Sequence, residues 1–445
     1  MIRGAGVLHV VALVAGFAAV SAALPQAPAK NPQQKPQKKD PGKQTSRPSA
    51  LEKLQQDAYD ALNREDFQAA ADLFTKFLLE RPGDAVAHFQ LGYSLTALTR
   101  REDAEAEYRT AITLDPKMGA AYMNLGLLLK AKDRVAAEVP LVKAAELLPA
   151  NAEAQYLAGS TLRDNGKDTA AEPLLRKAVE MENANPEYHF ALADFLFGRQ
   201  RLTEAEAEFR TTLKLRPGDA ASHARLGEIL LRKKRPAEGA DELAAAIQAD
   251  PKKVGFLRLQ LATVYGELGR FDEAYAQLDA MSADQGVSAE ADDLRADLLI
   301  HQKRHADAVV VLRRILERSP KDPQAHARLG HALLEMRDFP GAQRELLAAL
   351  EVDGKLTEAL RDLMSAYFLA EDYPRALKAL DMLAERETPN APAWFVRAIC
   401  YDKLRRKPEA LAAYQKFIEL DGGRDADQNF QARQRIRILR HELKK

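Results

Sequence analysis

The sequence predicts an all-α fold, a superhelical solenoid of about eleven antiparallel helix hairpins followed by a C-terminal capping helix. Three features predict it: small residues that recur about every 34 positions, a proline at a fixed distance after them, and apolar residues at helical spacing between them. Aromatic residues make up only 7% of the chain and alanine is abundant, which favours helices packed through small side chains.

Small residues occupy two positions in each repeat, and both let paired helices approach closely, since a larger side chain would force the axes apart. The position in the second helix is filled by Ala70, Ala104, Ala137, Ala171, Ala205, Gly239, Ala274, Ala308, Ala342, Ala376 and Ala410. The position in the first helix lies eleven or twelve residues earlier and is filled by Ala58, Gly92, Gly126, Gly159, Ala193, Gly227, Ala262, Ala296, Gly330, Met364 and Ala398. We call these the small positions of the two helices.

A proline lies twelve residues after the small position of the second helix in six repeats. It cannot continue a helix, so it ends the second helix and turns the chain into the next repeat. These prolines are Pro82, Pro116, Pro149, Pro217, Pro251 and Pro320.

These residues resemble the tetratricopeptide repeat family, whose repeat pairs a Leu-Gly in the first helix with alanines, an aromatic residue and a final proline in the second. The matching residues are Tyr122, Leu125, Gly126 and Leu129 in a first helix and Ala104, Tyr108, Ala111 and Pro116 in a second helix. The resemblance spans residues 51–424, so we expect the repeat array there.

Three departures from the pattern predict looser packing or altered curvature rather than another fold. The third repeat is one residue short near Asp133 and Arg134, and Met364 replaces a small residue in the tenth. The tenth and eleventh repeats also lack the final proline.

Residues 425–445 are strongly basic and are predicted to form a capping helix, because an open solenoid end needs a polar cover. We expect Phe430, Ile436, Ile438 and Leu439 to dock on the last repeat and the arginines and lysines to face water. A basic tail that binds a partner is the alternative.

The N-terminal residues have the pattern of an export signal. Residues 1–23 combine Arg3, an apolar run from Val7 to Val20, and small residues where a peptidase could cut. Residues 24–50, rich in Pro, Gln and Lys, are predicted to be a disordered tether, either a solvated spacer or a segment that touches anionic polymers. The protein is therefore expected to be periplasmic or secreted, with an uncleaved membrane anchor as the alternative.

The family resemblance implies that first helices line the concave face of the array, where a partner binds. On that pattern the candidate partner-binding groove consists of Phe89, Tyr93, Tyr156, Arg163, Phe190, Asp194 and Phe197. Aromatic anchors among scattered charges are typical of peptide grooves. The alternative is that these aromatic side chains fill the space between neighbouring first helices.

Other functional classes find little support. Lys plus Arg equals Asp plus Glu, at 65 each, which argues against a nucleic-acid binder. Phosphate-loop, zinc-protease and nucleophile-elbow motifs are absent, and no cofactor is expected. The single cysteine, Cys400, is predicted to be a buried small residue.

The histidines are expected to be structural. His88, His189, His223 and His326 share one repeat position, and a residue that recurs in one slot of several repeats usually packs there. His301 and His305 have a spacing that suits a metal, but they lie where a helix gives way to a turn.

We therefore expect a non-enzymatic scaffold of the extracytoplasmic space that binds peptide or protein segments in its concave groove. The alternative is a signal-anchored assembly factor of an envelope complex. No stretch of about 100 residues lacks the repeat pattern, which leaves no room for a separate catalytic domain.

Overall fold

The computed structural model describes residues 49–285 and 288–443, and these residues form helices with no strand among them. In chain order the helices of the first half are α1 (Ala50–Asn63), α2 (Phe67–Glu80), α3 (Ala85–Ala97), α4 (Arg101–Leu114), α5 (Gly119–Lys130), α6 (Arg134–Leu147), α7 (Ala152–Asp164), α8 (Asp168–Met181), α9 (Pro186–Gly198), α10 (Leu202–Leu215) and α11 (Ala220–Arg232). The later helices are α12 (Pro236–Ala249), α13 (Pro251–Val254), the 3₁₀ turn η1 (Gly255–Leu257), α14 (Arg258–Glu267), α15 (Phe271–Gln285), α16 (Ala289–His301), α17 (His305–Arg318), α18 (Pro323–Glu335), α19 (Phe339–Val352), α20 (Thr357–Leu369), α21 (Tyr373–Ala384), α22 (Ala391–Lys403), α23 (Lys407–Asp421) and α24 (Ala426–Glu442).

The predicted fold class is confirmed: first and second helices alternate along the chain as in a tetratricopeptide solenoid, with one further helix at the end. The described residues divide into two compact units, with the division between Ile229 and Leu230 inside α11. We describe each unit by itself. The predicted 1–23 leader and residues 24–48 of the predicted tether lie outside the described residues. Helix α1 begins at Ala50, and the side chain of Ser49 caps it.

The small positions do what the sequence predicts, because little space separates the helices of a pair. A Cβ added to Gly330 of α18 would lie 2.5 Å from Cγ of Leu346 in α19. A Cβ on Gly92 of α3 would lie 2.9 Å from the ring of Tyr108 in α4. Even an alanine at these two positions therefore requires Leu346 or Tyr108 on the partner helix to shift.

Most hairpins turn through one residue in the left-handed conformation, seven positions after the small position of the first helix. It is usually not glycine, since the residues are Glu65, Thr99, Gln200, Lys234, Lys303, Arg337, Glu371 and Arg405, with φ between 57° and 61°. Only Gly166 and Gly269 occupy the same place without the steric cost of a Cβ. The one-residue deletion in the third repeat falls here, so Asp133 has φ of −148° and caps α6 directly.

The recurring histidines form polar clips that hold hairpins together. Nδ1 of His189 lies 2.6 Å from Oε2 of Glu208 in the second helix, and Nε2 lies 2.9 Å from the Asn183 carbonyl oxygen in the preceding turn. The same contacts recur for His88 with Glu107 and Pro82 and for His326 with Glu345 and Pro320. A buried ring that meets partners on both sides is structural, as expected.

The capping helix is present, but two of its predicted docking residues point away. Its buried residues are Asn429, Ala432, Ile436 and Leu439. Phe430 is 64% exposed and Ile438 is 45% exposed. The buried stripe begins at Asn429, which donates to the buried Asp421 at the end of α23. This polar contact sets the helix rotation and leaves Phe430, one residue further on, outside the stripe.

Candidate functional site

The predicted partner-binding residues all lie on first helices of the first unit. They are Phe89 and Tyr93 in α3, Tyr156 and Arg163 in α7, and Phe190, Asp194 and Phe197 in α9. The structure brings some of them together and leaves others in local packing.

The aromatic residues of α3 pack within their own end of the unit. Phe89 is buried, and its ring centroid lies 5.9 Å from that of Tyr108. Tyr93 is half-buried and meets Phe67 edge-on at 6.1 Å. Burial, followed by the nearby Glu65 carboxylate, raises the pKa of Tyr93 above its usual value. These contacts are those of gap-filling side chains, with only Tyr93 partly open to a ligand.

Three successive first helices are joined by charged side chains around Asp194. Nη1 of Arg163 in α7 donates to Oδ2 of Asp194 in α9 at 3.3 Å. Nε of Arg225 in α11 lies 3.5 Å from the other carboxylate oxygen. Each arginine has a second acidic neighbour, since Arg163 donates to Asp164 at 2.8 Å and Arg225 to Glu228 at 3.3 Å. The two links have the same sequence spacing of 31 residues, so they follow from the repeat itself.

Phe197 lies beneath this charge cluster. Its ring is 8% exposed, and the Arg225 guanidinium carbon lies 5.0 Å from the ring centroid. Such a cation–π contact fixes the flexible arginine in place and keeps its hydrogen-bond donors directed outward.

Partly open aromatic rings flank the cluster. The ring of Tyr156 in α7 lies 5.0 Å from that of the buried Tyr188 in α9. Burial, followed by the Glu187 carboxylate, raises the pKa of Tyr156. Phe190 is half-buried and meets the fully buried Phe209 of α10 edge-on at 5.7 Å. Because Tyr156 and Phe190 are each held by a buried ring, they present rigid apolar surface at low entropy cost.

The structure adds polar residues that the sequence reasoning missed. Nζ of Lys130 in α5 donates to Oγ of Ser160 in α7 at 3.2 Å, and burial lowers the pKa of Lys130. The repeat register was the available signal, because Lys130, Arg163 and Phe197 each lie four residues after the small position of their first helix. We call Lys130, Tyr156, Ser160, Arg163, Phe190, Asp194, Phe197 and Arg225 the first-unit strip.

The strip offers recognition groups rather than a reaction centre. Its carboxylate and guanidinium groups are paired with one another, and Ser160 accepts from an ammonium group instead of facing a base. No group of three or more metal-ligating side chains occurs in residues 49–285 and 288–443. A peptide crossing the strip would meet charges of alternating sign beside aromatic rings.

The other sequence candidates belong to the second unit. His301 faces Phe271, with ring centroids 6.0 Å apart, whereas His305 faces His331 at 6.3 Å. The two histidines therefore have different neighbours. Cys400 is fully buried, and burial raises its pKa to about 11, which is the environment of an inert thiol rather than a reactive one. Within the described part of the chain, no helix combines the length and apolarity needed to cross a bilayer.

Comparison with protein families gives matches along most of the array. A family model described as tetratricopeptide repeat matches residues 89–153, 156–220, 190–254, 259–323 and 361–425. A second model of the same description matches residues 299–367. The first model alone covers well over half of the 445 residues.

Similar proteins cover part of the chain. The Hsp70-Hsp90 organizing protein of Triticum aestivum is 27% identical over 185 residues, which are 40% of this chain and 31% of the relative. Hsp70-Hsp90 organizing protein 3 of Arabidopsis thaliana is 27% identical over 186 residues, 40% of this chain and 32% of the relative. The chain thus spans about a third of the length of these curated relatives.

Solved structures with a similar course of the chain include two that differ in coverage. YrrB, described as a tetratricopeptide protein with an unusual peptide-binding site, is 26% identical with a TM-score of 0.39, over 41% of this chain and 95% of YrrB. The complex of Naa15/Naa10 bound to HypK-THB is 14% identical with a TM-score of 0.40, over 86% of this chain and 65% of the matched chain.

Proposed function

Since the chain belongs to the tetratricopeptide repeat family, whose members mediate protein–protein interactions, we propose that it is a non-enzymatic scaffold that binds an extended peptide segment along the first-unit strip. The relatives named as organizing proteins and the peptide-binding site described for YrrB are compatible with this function. The proposal itself rests on the side chains of this chain.

The observation that carries the proposal is the position of Asp194 between Arg163 and Arg225, with the Arg225 guanidinium group over the ring of Phe197. An extended peptide needs directional polar partners and rigid apolar contacts in one line. The bridged carboxylate and the two guanidinium groups supply the first, and Tyr156 and Phe190 supply the second. Because the charges are already oriented by one another, little side-chain entropy is lost when a ligand exchanges with them.

A displayed library of random peptides, selected on the purified chain, tests the proposal because the selection does not require an identified partner. Enriched peptides are then titrated against the wild type and against the variants Asp194→Ala and Phe190→Ala. Truncation of Asp194 leaves two guanidinium groups without their shared partner, and truncation of Phe190 removes an aromatic anchor. Each is expected to weaken binding by at least about tenfold.

The matched control is Val139→Ala on α6. Val139 is 74% exposed and lies on a second helix of the same unit. The variant is expected to bind the selected peptides like the wild type. Peptides that bind both strip variants undiminished, or that lose affinity with Val139→Ala, would place the binding surface elsewhere and end the proposal.

The extracytoplasmic location is part of the same proposal and rests on residues 1–23, where Arg3, the apolar run and the small residues follow the order of an export signal. Fusion to a reporter enzyme that is active only outside the cytoplasm tests it directly. The mass of the mature N-terminus separates cleavage near residue 23 from the anchored alternative. An inactive reporter would remove both forms of the proposal.

A further inference from the structure

A cavity of about 220 Å³ lies between the last two hairpins of the second unit. It arises because α21 is short: it has 12 residues, whereas α19 in the preceding repeat has 14. The chain leaves the helix after Ala384 and begins α22 only at Ala391. The missing half-turn uncovers the space that a full second helix would occupy.

The interior of this cavity is apolar. Met364 of α20, Leu380 and Leu383 of α21, and Val396 of α22 line it. Leu380 and Leu383 are buried, so the walls are rigid parts of the hairpin core. An apolar cavity of about 150 Å³ is large enough to bind benzene, so this one accommodates a phenyl ring. We call it the socket.

The mouth of the socket presents negative charge to solvent. Arg361 is paired with Glu358 and Glu387, and Nη1 of Arg397 lies 2.5 Å from Oδ1 of Asp381. The carboxylate is the outer member in two of these pairs, those of Glu358 and Asp381, whereas Arg361 and Glu387 are equally exposed, at 41% and 40%. The side chains of Glu358 and Asp381 are 86% and 63% exposed, whereas that of Arg397 is 12% exposed.

The capping helix α24 carries the complementary surface. Phe430 projects into solvent, with the exposed Arg433 and Arg437 one and two turns further along the same side and the exposed Asp427 one turn before it. In residues 49–285 and 288–443, no ion pair joins Arg433 or Arg437 to an acidic side chain. An exposed phenyl ring beside unpaired guanidinium groups matches a phenyl-sized socket with an acidic mouth.

We propose that Phe430 of one copy of this chain inserts into the socket of a second copy, with Arg433 and Arg437 against the acidic mouth. Within one chain Phe430 is exposed on a helix held by its opposite face, so the contact forms between copies. The proposal is independent of the first-unit strip, because the socket and α24 both belong to the second unit.

The geometry of this contact is head to tail. Each copy uses α24 toward one neighbour and the socket toward another, so the contact does not close on itself and association continues with rising concentration. The interface is small and depends on charge. We therefore expect weak association that falls between about 50 mM and about 500 mM salt.

Sedimentation velocity of the full chain at rising concentration is the primary test. The wild type is expected to increase in weight-average mass without a plateau at the dimer. Phe430→Asp should remain monomeric, with an association constant at least about tenfold lower, because the aspartate removes the ring and adds like charge at the acidic mouth. This variant changes an exposed residue and is expected to fold normally.

Mixing gives the sharper result. Ser365 is half-buried and lies on the wall of the socket, so the phenyl ring of Ser365→Phe is expected to fill the socket. This variant retains Phe430 but has no free socket. Phe430→Asp retains the socket. Each variant is expected to be monomeric alone, whereas their mixture forms a heterodimer and nothing larger. If Ser365→Phe misfolds by circular dichroism, Glu358→Lys with Asp381→Lys replaces it, since both side chains are exposed.

Phe256→Asp is the matched control, because Phe256 is a similarly exposed phenylalanine of the same unit, at 69%. It should associate like the wild type. A wild type that stays monomeric up to about 1 mM, at which even weak interfaces associate, would overturn the proposal. So would a mixture without heterodimer, or loss of association in Phe256→Asp alone.

Discussion

Repeats nine and ten are neighbours in the second unit and follow one plan with different residues at matching positions. Repeat nine (α18 and α19) has Gly330 at the small position of its first helix, and repeat ten (α20 and α21) has Met364. In repeat nine the two helices are joined by His326 and Glu345, whose Nδ1 and Oε2 atoms lie 2.8 Å apart. The same two positions in repeat ten are occupied by the buried Leu360 and Ala379. The second helix has 14 residues in repeat nine and 12 in repeat ten.

The comparison teaches that the repeat accepts two residue types at each of these positions, provided that the residue or helix in contact with it changes too. A glycine in the first helix allows Leu346 to fill the contact. A methionine there accompanies a shortened second helix and a cavity. Likewise, a polar pair and an apolar pair both satisfy the hairpin, since what costs stability is a buried polar group without its partner.

The largest effect is expected when the methionine of repeat ten is placed in repeat nine. In Gly330→Met the new Cβ would lie 2.5 Å from Cγ of Leu346 and 3.3 Å from its backbone nitrogen, so the helices must separate without a shortened partner to compensate. We expect a loss of about 3 kcal/mol of stability. Native-state hydrogen exchange of the amides in α18 and α19 measures it, because stability in repeat arrays is local.

Gly354→Ala is the control for this substitution. A Cβ at Gly354 would lie 3.6 Å from the Leu350 carbonyl oxygen, which is ordinary contact, so the change should stay within about 0.5 kcal/mol. If Gly330→Met proved as mild as Gly354→Ala, close approach would not be the reason for the small residue.

The next effect concerns the polar clip. Glu345→Ala leaves the ring of His326 without its carboxylate partner and is expected to cost about 1–2 kcal/mol. The double variant His326→Leu with Glu345→Ala installs the residue types of repeat ten and should recover most of that loss. Urea unfolding of the single and double variants measures the coupling. Additive losses would mean that the apolar pair needs the rest of repeat ten.

The regular part of the fold was predictable because it depends on spacing that the sequence displays. Alanines and glycines at the small positions indicated the helix pairs and their order. The left-handed turn residues escaped prediction because Thr99, Lys234 and Arg337 are not residue types that favour this conformation. They adopt it because the helices on both sides are fixed by packing, which no local pattern reveals.

The candidate site was predictable in register but not in detail. The family pattern placed Arg163 on one first helix and Asp194 and Phe197 on the next, and the structure joins Arg163 and Asp194 in an ion pair. It did not reveal that Phe89 is buried against Tyr108 or that Arg225 completes the bridge. Whether two side chains 31 residues apart in sequence meet depends on their rotamers and on the rotation of their helices. The unexpected exposure of Phe430 has the same cause, the rotation of its helix.

A smaller effect is expected when the methionine of repeat ten is removed. Met364→Ala restores the common residue type at a half-buried position and enlarges the socket. We expect a loss of about 1 kcal/mol, below the range for a fully buried methionine, because the site is partly open to water. Thermal unfolding measures it. A gain in stability would instead mean that Met364 holds the helices apart, and that α21 is short because of this separation.

The smallest effect is a pH dependence at the junction of the two repeats. Nδ1 of His331 in α18 lies 3.0 Å from Oδ2 of Asp362 in α20, and this hydrogen bond, followed by nearby charges that include Glu335, raises the pKa of His331 above 6.5. A raised folded-state pKa means that the contribution is fully present below pH about 6.5 and is lost as the pH rises through the folded-state value. Both side chains are partly exposed, so we expect about 0.5 kcal/mol or less.

Chemical-shift titration of His331 in the wild type and in Asp362→Asn measures this contribution where unfolding experiments lack resolution. The wild-type ring should titrate at higher pH than the ring in the variant, because the amide keeps the shape of the carboxylate without its charge. Equal titration of His331 in both proteins would show that the junction between repeats nine and ten is held by apolar packing alone, as the hairpin of repeat ten is held by Leu360 and Ala379.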